Sequence, residues 1–378
     1  MAEELEMFGF LRSDGGLVGP LRAKAGEIAR ASLIFALVAA LAAAFAFVAG
    51  VLEPSRLTPA KLVDALEGHD GLHPGFRRAH AKGVCFTGRF EASGAGARLS
   101  RASVFARGEV PVVGRFSTGG GMPYAPDGRV ALRSMALSFS LPNGEQWRTA
   151  MNHIPVFPVA TPAAFLDFQR ATSPVAATGK PDAARVEGFL AAHPETRAFM
   201  ARLRDGDLPS SFANGAYHSV NAFRFTGGAG PARDARWSMV PEAPLEALDK
   251  ATLASRPPSF LFEEVVARLE RGPLRWRMRV TLAAPGDPTG DATREWPRDR
   301  EQIEVGALVV ERAATEEAGP CRDITFDPLI LPAGIEPSDD PLLSARSSAY
   351  AVSLTRRAGE GPAPSALSRG PAEEGARR

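Results

Sequence analysis

Ala31 to Leu52 reads ASLIFALVAALAAAFAFVAGVL, 22 residues without a charged side chain between Arg30 and Glu53. At ~1.5 Å per residue such a run spans about 33 Å as a helix, enough for a bilayer core of ~30 Å and longer than the apolar runs that soluble domains usually bury. Arg22, Lys24 and Arg30 lie just before it, while the next basic residues, Arg56 and Lys61, are fewer. The positive-inside rule then keeps residues 1–30 cytoplasmic and sends the remainder of the chain across. The sequence therefore predicts a single-pass transmembrane helix at 31–52, in an inner membrane, with an exported domain in the periplasm. A cleaved secretory signal is the alternative, because Ala44-Phe45-Ala46 has the small-x-small pattern that a signal peptidase accepts. Secretory apolar regions, however, run only ~7–15 residues. Cleavage would leave the domain soluble in the periplasm.

Composition bounds the remainder. Lys and Arg number 44 against 43 Asp and Glu, so no overall field exists for holding a polyanion and nucleic-acid binding is not expected. Two cysteines, Cys85 and Cys321, are too few for a disulfide scaffold or a closed four-cysteine zinc site. They could form a bridge outside the cytoplasm, although their spacing gives no support for one. Residues 358–378 (AGEGPAPSALSRGPAEEGARR) hold hardly any large apolar side chain and are expected to be a disordered tail. The folded unit is then residues 53–357.

Within it, Thr58-Pro59 opens a short helix expected to close at Gly68, with proline at the first helical position. From Gly83 the texture changes to short alternating runs: 84–90, 112–117 and 136–141, with a turn at Pro142-Asn143-Gly144. Residues 162–172 and 183–203 have helical spacing. Strands resume at 222–225, 274–282 and 306–310. Strands, then helices, then strands exclude regular βαβ alternation and predict an α+β domain around an antiparallel sheet or barrel.

The six histidines form no i, i+4 pair with a glutamate, and no nucleophile elbow or phosphate-binding lysine loop is present. Phe116-Ser117-Thr118-Gly119-Gly120-Gly121 reads as a flexible turn. Three stretches carry more together than apart. They are Arg77-Arg78-Ala79-His80-Ala81-Lys82-Gly83; Met151-Asn152-His153-Ile154-Pro155-Val156-Phe157, continuing to Phe165 and Phe168; and Phe326-Asp327-Pro328 followed by Arg346-Ser347-Ser348-Ala349-Tyr350 and Arg356-Arg357. Arg115-Phe116-Ser117 and Arg133-Ser134-Met135-Ala136 fall between them in order.

This ordered set resembles the haem catalase superfamily from about Pro74 to Arg357, and in its shortness it is similar to the catalase-related peroxidases. The resemblance implies an antiparallel β-barrel of the haem catalase type with added helices, and haem b as cofactor. It places His80 over the distal face of the haem, with Ser117 orienting its ring and Asn152 beside it. Phe157, Phe165 and Phe168 become cofactor-pocket side chains. Tyr350 becomes the iron ligand with Arg346 as its neighbour, and Arg77, Arg115 and Arg357 hold the propionates.

Chemistry explains these residue types. A neutral phenol is a poor ligand, but a ferric ion and a guanidinium both favour its anion. Tyrosine is the ligand that catalase uses, and in a helix the Arg346–Tyr350 spacing puts both on one face. A neutral imidazole at His80 can take a peroxide proton and return it to the leaving oxygen, while Asn152 donates a hydrogen bond without titrating. The expected activity is reduction of hydrogen peroxide or organic hydroperoxides through a ferryl intermediate, with weak or no catalase activity. The partners expected are the peroxide, an unidentified electron donor, the membrane through 31–52 and, as an open alternative, a second copy of the chain.

Large catalases carry a Tyr-Gly-Ser-His stretch on the proximal side. Here Tyr217-His218-Ser219-Val220-Asn221 takes its place, so the histidine is displaced and a more open proximal network is expected. A catalase, a fatty hydroperoxide isomerase, or a non-catalytic haem- or lipid-binding barrel remain the alternative readings.

Overall fold

Period-two alternation builds the sheet. In the strand Leu274–Leu282, Trp276, Met278, Val280 and Leu282 are buried, while Arg277 between them is exposed. Successive side chains of a strand point to opposite faces, so one face joins the core and the other meets solvent. The computed structural model describes residues 18–53 and 55–367, in two units, one ending at Thr58 and the other beginning at Pro59.

The first unit contains α1 (Val18–Val48). Its stretch Glu27–Val48 has a mean hydropathy of 2.6 and none of it is buried, so it is long and apolar enough either to cross a membrane or to act as a signal sequence. The helix starts before the expected run and stops short of Leu52, where Gly50 adopts a left-handed φ of +76°.

The second unit is the expected α+β barrel. Its strands are β1 (Gly83–Ala92), β2 (Gly108–Thr118), β3 (Arg133–Ser140), β4 (Gln146–Asn152), β5 (Tyr217–His218), β6 (Phe223–Phe225), β7 (Arg233–Pro241), β8 (Leu274–Leu282), β9 (Gln302–Thr315) and β10 (Ile335–Pro337). β1, β2, β3, β4, β5, β7, β8 and β9 pair antiparallel in that order, and β9 returns onto β1 to close the barrel. β6 continues along β7 after β5 and carries β10. Closure leaves the eight strands without an open edge. Inside, Phe116, Met135, Leu137, Met151, Trp237 and Trp276 form one apolar core.

Helices α2 (Pro59–Asp70), α3 (Pro162–Thr172) and α8 (Pro341–Glu360) pack on one another. Thr161 caps α3 by accepting from Ala164 N, and Asp340 caps α8 by accepting from Leu342 N, each followed by proline at the first helical position. The remaining helices are α4 (Ala183–Ala192), α5 (Pro194–Asp205), α6 (Lys250–Ser255) and α7 (Phe260–Arg271).

The helices of the second unit differ from the sequence reading in three places. α2 runs past Gly68 to Asp70, because Gly71, with φ +84°, is the residue that takes the left-handed position after the helix. The single helix expected over 183–203 is two: Pro194 has no N–H and disfavours a helical His193, so α4 ends and α5 begins there. α8 extends to Glu360, and Ser365 and Ala366 beyond it are buried, Ala366 in a cluster with Phe76 and Ala81. Residues 368–378 of the expected tail lie outside the described residues.

Cys85 and Cys321, 236 residues apart, form a disulfide and are both fully buried.

Candidate active site

Strand alternation decides which side chains leave the barrel core. Phe116, Met135 and Met151 point inward, so their neighbours Arg115 and Ser117, Ser134 and Ala136, and Ala150 and Asn152 lie on the other face. Register aligns them: Ser117 pairs with Ser134, and Ser134 with Asn152. All six line a cavity of about 560 Å³, together with residues of α2, α3 and α8.

His80 stands at the edge of this row with φ +56°, a left-handed conformation that only a minority of residues other than glycine adopt. Such strain persists only where surrounding contacts impose it. Here Ala81 N donates to Gly120 O at 3.0 Å and Thr118 N to Lys82 O at 3.2 Å, tying the turn to the end of β2. The Gly-rich run read as a flexible turn is thus half of a fixed junction. Ser117 Oγ lies 3.4 Å from His80 Nδ1. Burial, followed by the positive charges of Arg115, Arg346 and Arg77, pushes the imidazole down to about 4, so it is neutral at physiological pH.

Asn152 accepts from Ser134 Oγ at 2.7 Å, which occupies its amide oxygen. Its amide nitrogen makes no hydrogen bond to the described protein and is left for whatever fills the cavity. Phe157 and Phe165 stack at 5.9 Å between ring centroids, and Phe168 packs on Phe189. All three line the same cavity.

α8 supplies the other group. Residues 346, 350 and 357 fall on one helical face at 3.6 residues per turn, and all three line the cavity. Arg346 Nη2 lies 3.4 Å from the Tyr350 hydroxyl oxygen, to which it donates, and its Nη1 donates to Asn221 Oδ1. Asn221 Nδ2 in turn donates to Asp340 Oδ2 at 2.7 Å, the same carboxylate that caps the helix. The displaced histidine led to an expectation of an open proximal network. Instead the chain Tyr350–Arg346–Asn221–Asp340 is continuous, because Asn221 reaches Arg346, while His218 turns its Nδ1 to Ser238 Oγ at 2.8 Å. Asn221 is presented by a tight turn: Val220 has φ +54°, and Asn221 N donates to Ser219 O at 2.7 Å. Asp327 of the Phe-Asp-Pro stretch accepts from Ser347 Oγ at 2.7 Å and so fixes α8 from outside.

Arg77, Arg115 and Arg357 line the cavity too and gather around Glu316. Arg115 donates to both carboxylate oxygens of Glu316, at 2.7 and 2.8 Å. Arg77 Nη2 donates to the carbonyls of Cys321, Arg322 and Ile324 at 3.0 to 3.1 Å. Its Nε is buried without a hydrogen-bond partner, 3.7 Å from Glu316 Oε1. The Arg357 guanidinium makes no hydrogen bond among the described residues. Burial, then repulsion from Arg115, pulls Arg77 down to about 9. Burial raises the Glu316 carboxyl, but Arg115 and Arg77 outweigh it and hold the group below the usual carboxylate range.

The structure thus brings all eleven residues singled out in the sequence to one cavity. The sequence reading missed Glu316, Asn221, Asp340 and the side chain of Ser134, and it left the Cys85–Cys321 bridge open. Ser134 was legible in principle, since strand alternation puts it on the Asn152 face.

The family model described as Catalase matches residues 50–363. The catalase-related peroxidase of Synechococcus elongatus is 38% identical over 301 residues, covering 80% of this chain and 89% of that protein. The catalase-related peroxidase of Mycolicibacterium paratuberculosis is 35% identical over 304 residues, covering 80% and 96%. Among solved structures, a bacterial catalase aligns with a TM-score of 0.67 at 23% identity, over 78% of this chain and 60% of that one.

Proposed function

The chain belongs to the catalase family, and on that premise we propose that it is a haem b peroxidase that reduces hydrogen peroxide or organic hydroperoxides. The observation that carries the reading is the cavity of about 560 Å³ onto which a neutral histidine, an amide donor, a phenol and the guanidinium groups of Arg77, Arg115, Arg346 and Arg357 converge. Its volume and mainly apolar lining suit a large planar cofactor. Three groups with hydrogen-bonding capacity to spare suit haem in particular. Among the described residues the Arg357 guanidinium and Arg77 Nε make no hydrogen bond, and the Tyr350 oxygen takes one from Arg346 alone.

Bound haem supplies the iron at which the peroxide O–O bond is cleaved. Tyr350, to whose oxygen Arg346 donates, would hold that iron. Arg77, Arg115 and Arg357, which line the same cavity, would hold the haem propionates. His80 Nε2 accepts the proton of the incoming peroxide and returns it to the leaving oxygen, with Ser117 fixing the ring. Asn152, its oxygen engaged by Ser134, turns an N–H toward the departing oxygen. Two electrons and two protons convert each peroxide into water, or water and an alcohol, and the electrons come from an external donor. Oxygen release and donor oxidation by the purified chain, followed in parallel, separate this activity from a catalase. Donor oxidation is expected to dominate, and oxygen release as the main outcome overturns the choice.

We infer further that the domain lies in the periplasm behind a retained anchor. Support comes from the unburied apolar stretch Glu27–Val48, the cations before it and the Cys85–Cys321 bridge, since disulfides persist in oxidising compartments. Intact mass of the protein from membranes is expected to include residues 31–52. A mass starting after Ala46 means the segment is a signal.

A further inference from the structure

The segment from Glu316 to Ile324 comes directly after β9 and contacts two of the three arginines that the proposed function sets against the propionates, Arg77 and Arg115. Arg115 takes the Glu316 carboxylate, and Arg77 takes three backbone carbonyls, those of Cys321, Arg322 and Ile324. A guanidinium held by several acceptors at once stays where they are, because leaving them means losing charge-assisted hydrogen bonds together. The position of this segment therefore sets the position of both arginines.

The cystine holds the segment. Cys85 lies in β1 directly opposite Arg115 of β2, and Cys321 lies five residues beyond Glu316. The bridge closes a ring that runs from Arg115 through Glu316 to Cys321, across the sulfurs to Cys85 and back to Arg115. Cys321 N also donates to Cys85 Sγ at 3.2 Å. A Cβ added to Gly319 would lie 2.4 Å from that sulfur, so the segment is packed against the bridge itself. Glu316, Arg322 and Asp323 border a second cavity of about 260 Å³, which leaves the segment room to shift once the bridge is absent.

We propose that the Cys85–Cys321 disulfide positions Arg77 and Arg115 for the carboxylates of the cofactor, so that the chain retains haem tightly only after the bridge has formed. The inference rests on the haem reading above. Bridge formation oxidises two thiols to a disulfide and passes two electrons and two protons to an exchanging disulfide, which is itself reduced to two thiols. Both cysteines are fully buried, so the exchange belongs to folding rather than to the finished domain.

The test compares full-length wild type, the Cys85→Ser/Cys321→Ser double variant, and wild type refolded with its thiols free. Each is loaded with haem or with haem dimethyl ester, whose carboxylates are blocked, and release to excess apomyoglobin is followed by absorbance. Haem is expected to leave both bridge-free forms at least about ten-fold faster, the scale of one weakened charge-assisted contact. The slow rate should return when the wild-type thiols are oxidised with glutathione disulfide. The ester should leave all forms at similar rates. Equal release of haem with and without the bridge overturns the proposal. So does an ester release that accelerates as much as that of haem, because the bridge then acts on general stability. If the double variant does not fold, the reduced and reoxidised wild type decides between these results. Failure of oxidised wild type to take up haem overturns the haem reading, and the proposal with it.

Discussion

Replacing His80 with alanine is expected to lower kcat/KM for hydrogen peroxide by about 10²- to 10⁴-fold, the usual contribution of a positioned acid–base group, with haem still bound. The substitution removes the ring that lies 3.4 Å from Ser117 Oγ and takes no partner from the hydrogen bonds of Arg346 and Tyr350 on α8. The pH dependence gives a second reading of the same residue. Burial, and then Arg115, Arg346 and Arg77, depress the imidazole to about 4, so the base form persists well below the ordinary histidine range. Wild-type kcat/KM should therefore not fall through pH 6.5, where an exposed histidine would charge, and should decline only as pH approaches 4. Turnover unchanged in His80→Ala, or a wild-type decline centred near the ordinary histidine value, would contradict the assignment.

Tyr350→Phe is expected to weaken haem retention by at least about 10²-fold and to abolish peroxidase activity. The phenyl ring keeps the packing of the α8 face, and only the oxygen beside Arg346 Nη2 is lost. Outer contacts of a metal ligand are commonly worth about 10- to 100-fold in affinity or activity, so loss of the ligand atom itself should exceed that range. The chain from Arg346 through Asn221 to Asp340 remains intact in this variant, which isolates the oxygen from the scaffold that presents it. A phenylalanine variant that keeps haem and turnover would mean that another side chain holds the iron.

How far the molecule can be read from its sequence depends on the range of the determinant. β8 is legible to the residue because its alternation is uninterrupted from Leu274 to Leu282. β7 was not read: Arg233-Asp234-Ala235-Arg236 looks polar, and only pairing with β6 and β8 reveals Ala235, Trp237 and Met239 as one inward row. α3 is bounded by its own cap and proline, whereas the break between α4 and α5 turns on the single residue Pro194. The eleven residues that meet at the cavity are legible because they stand in a recognisable order. Glu316, Asn221 and Asp340 are not, since each acts through a partner far along the chain: Glu316 through Arg115, and Asp340 through Asn221. The cystine is the extreme case, its two halves separated by 236 residues and joined only by the return of β9 onto β1.

The central claim, that this cavity holds haem through Tyr350, is tested most directly by an absorption titration of the full-length protein with haem. The account predicts a Soret band that saturates at about one haem per chain in the wild type and is lost or displaced in Tyr350→Phe. No Soret band in the wild type, or the same band with the same saturation in both proteins, would contradict it.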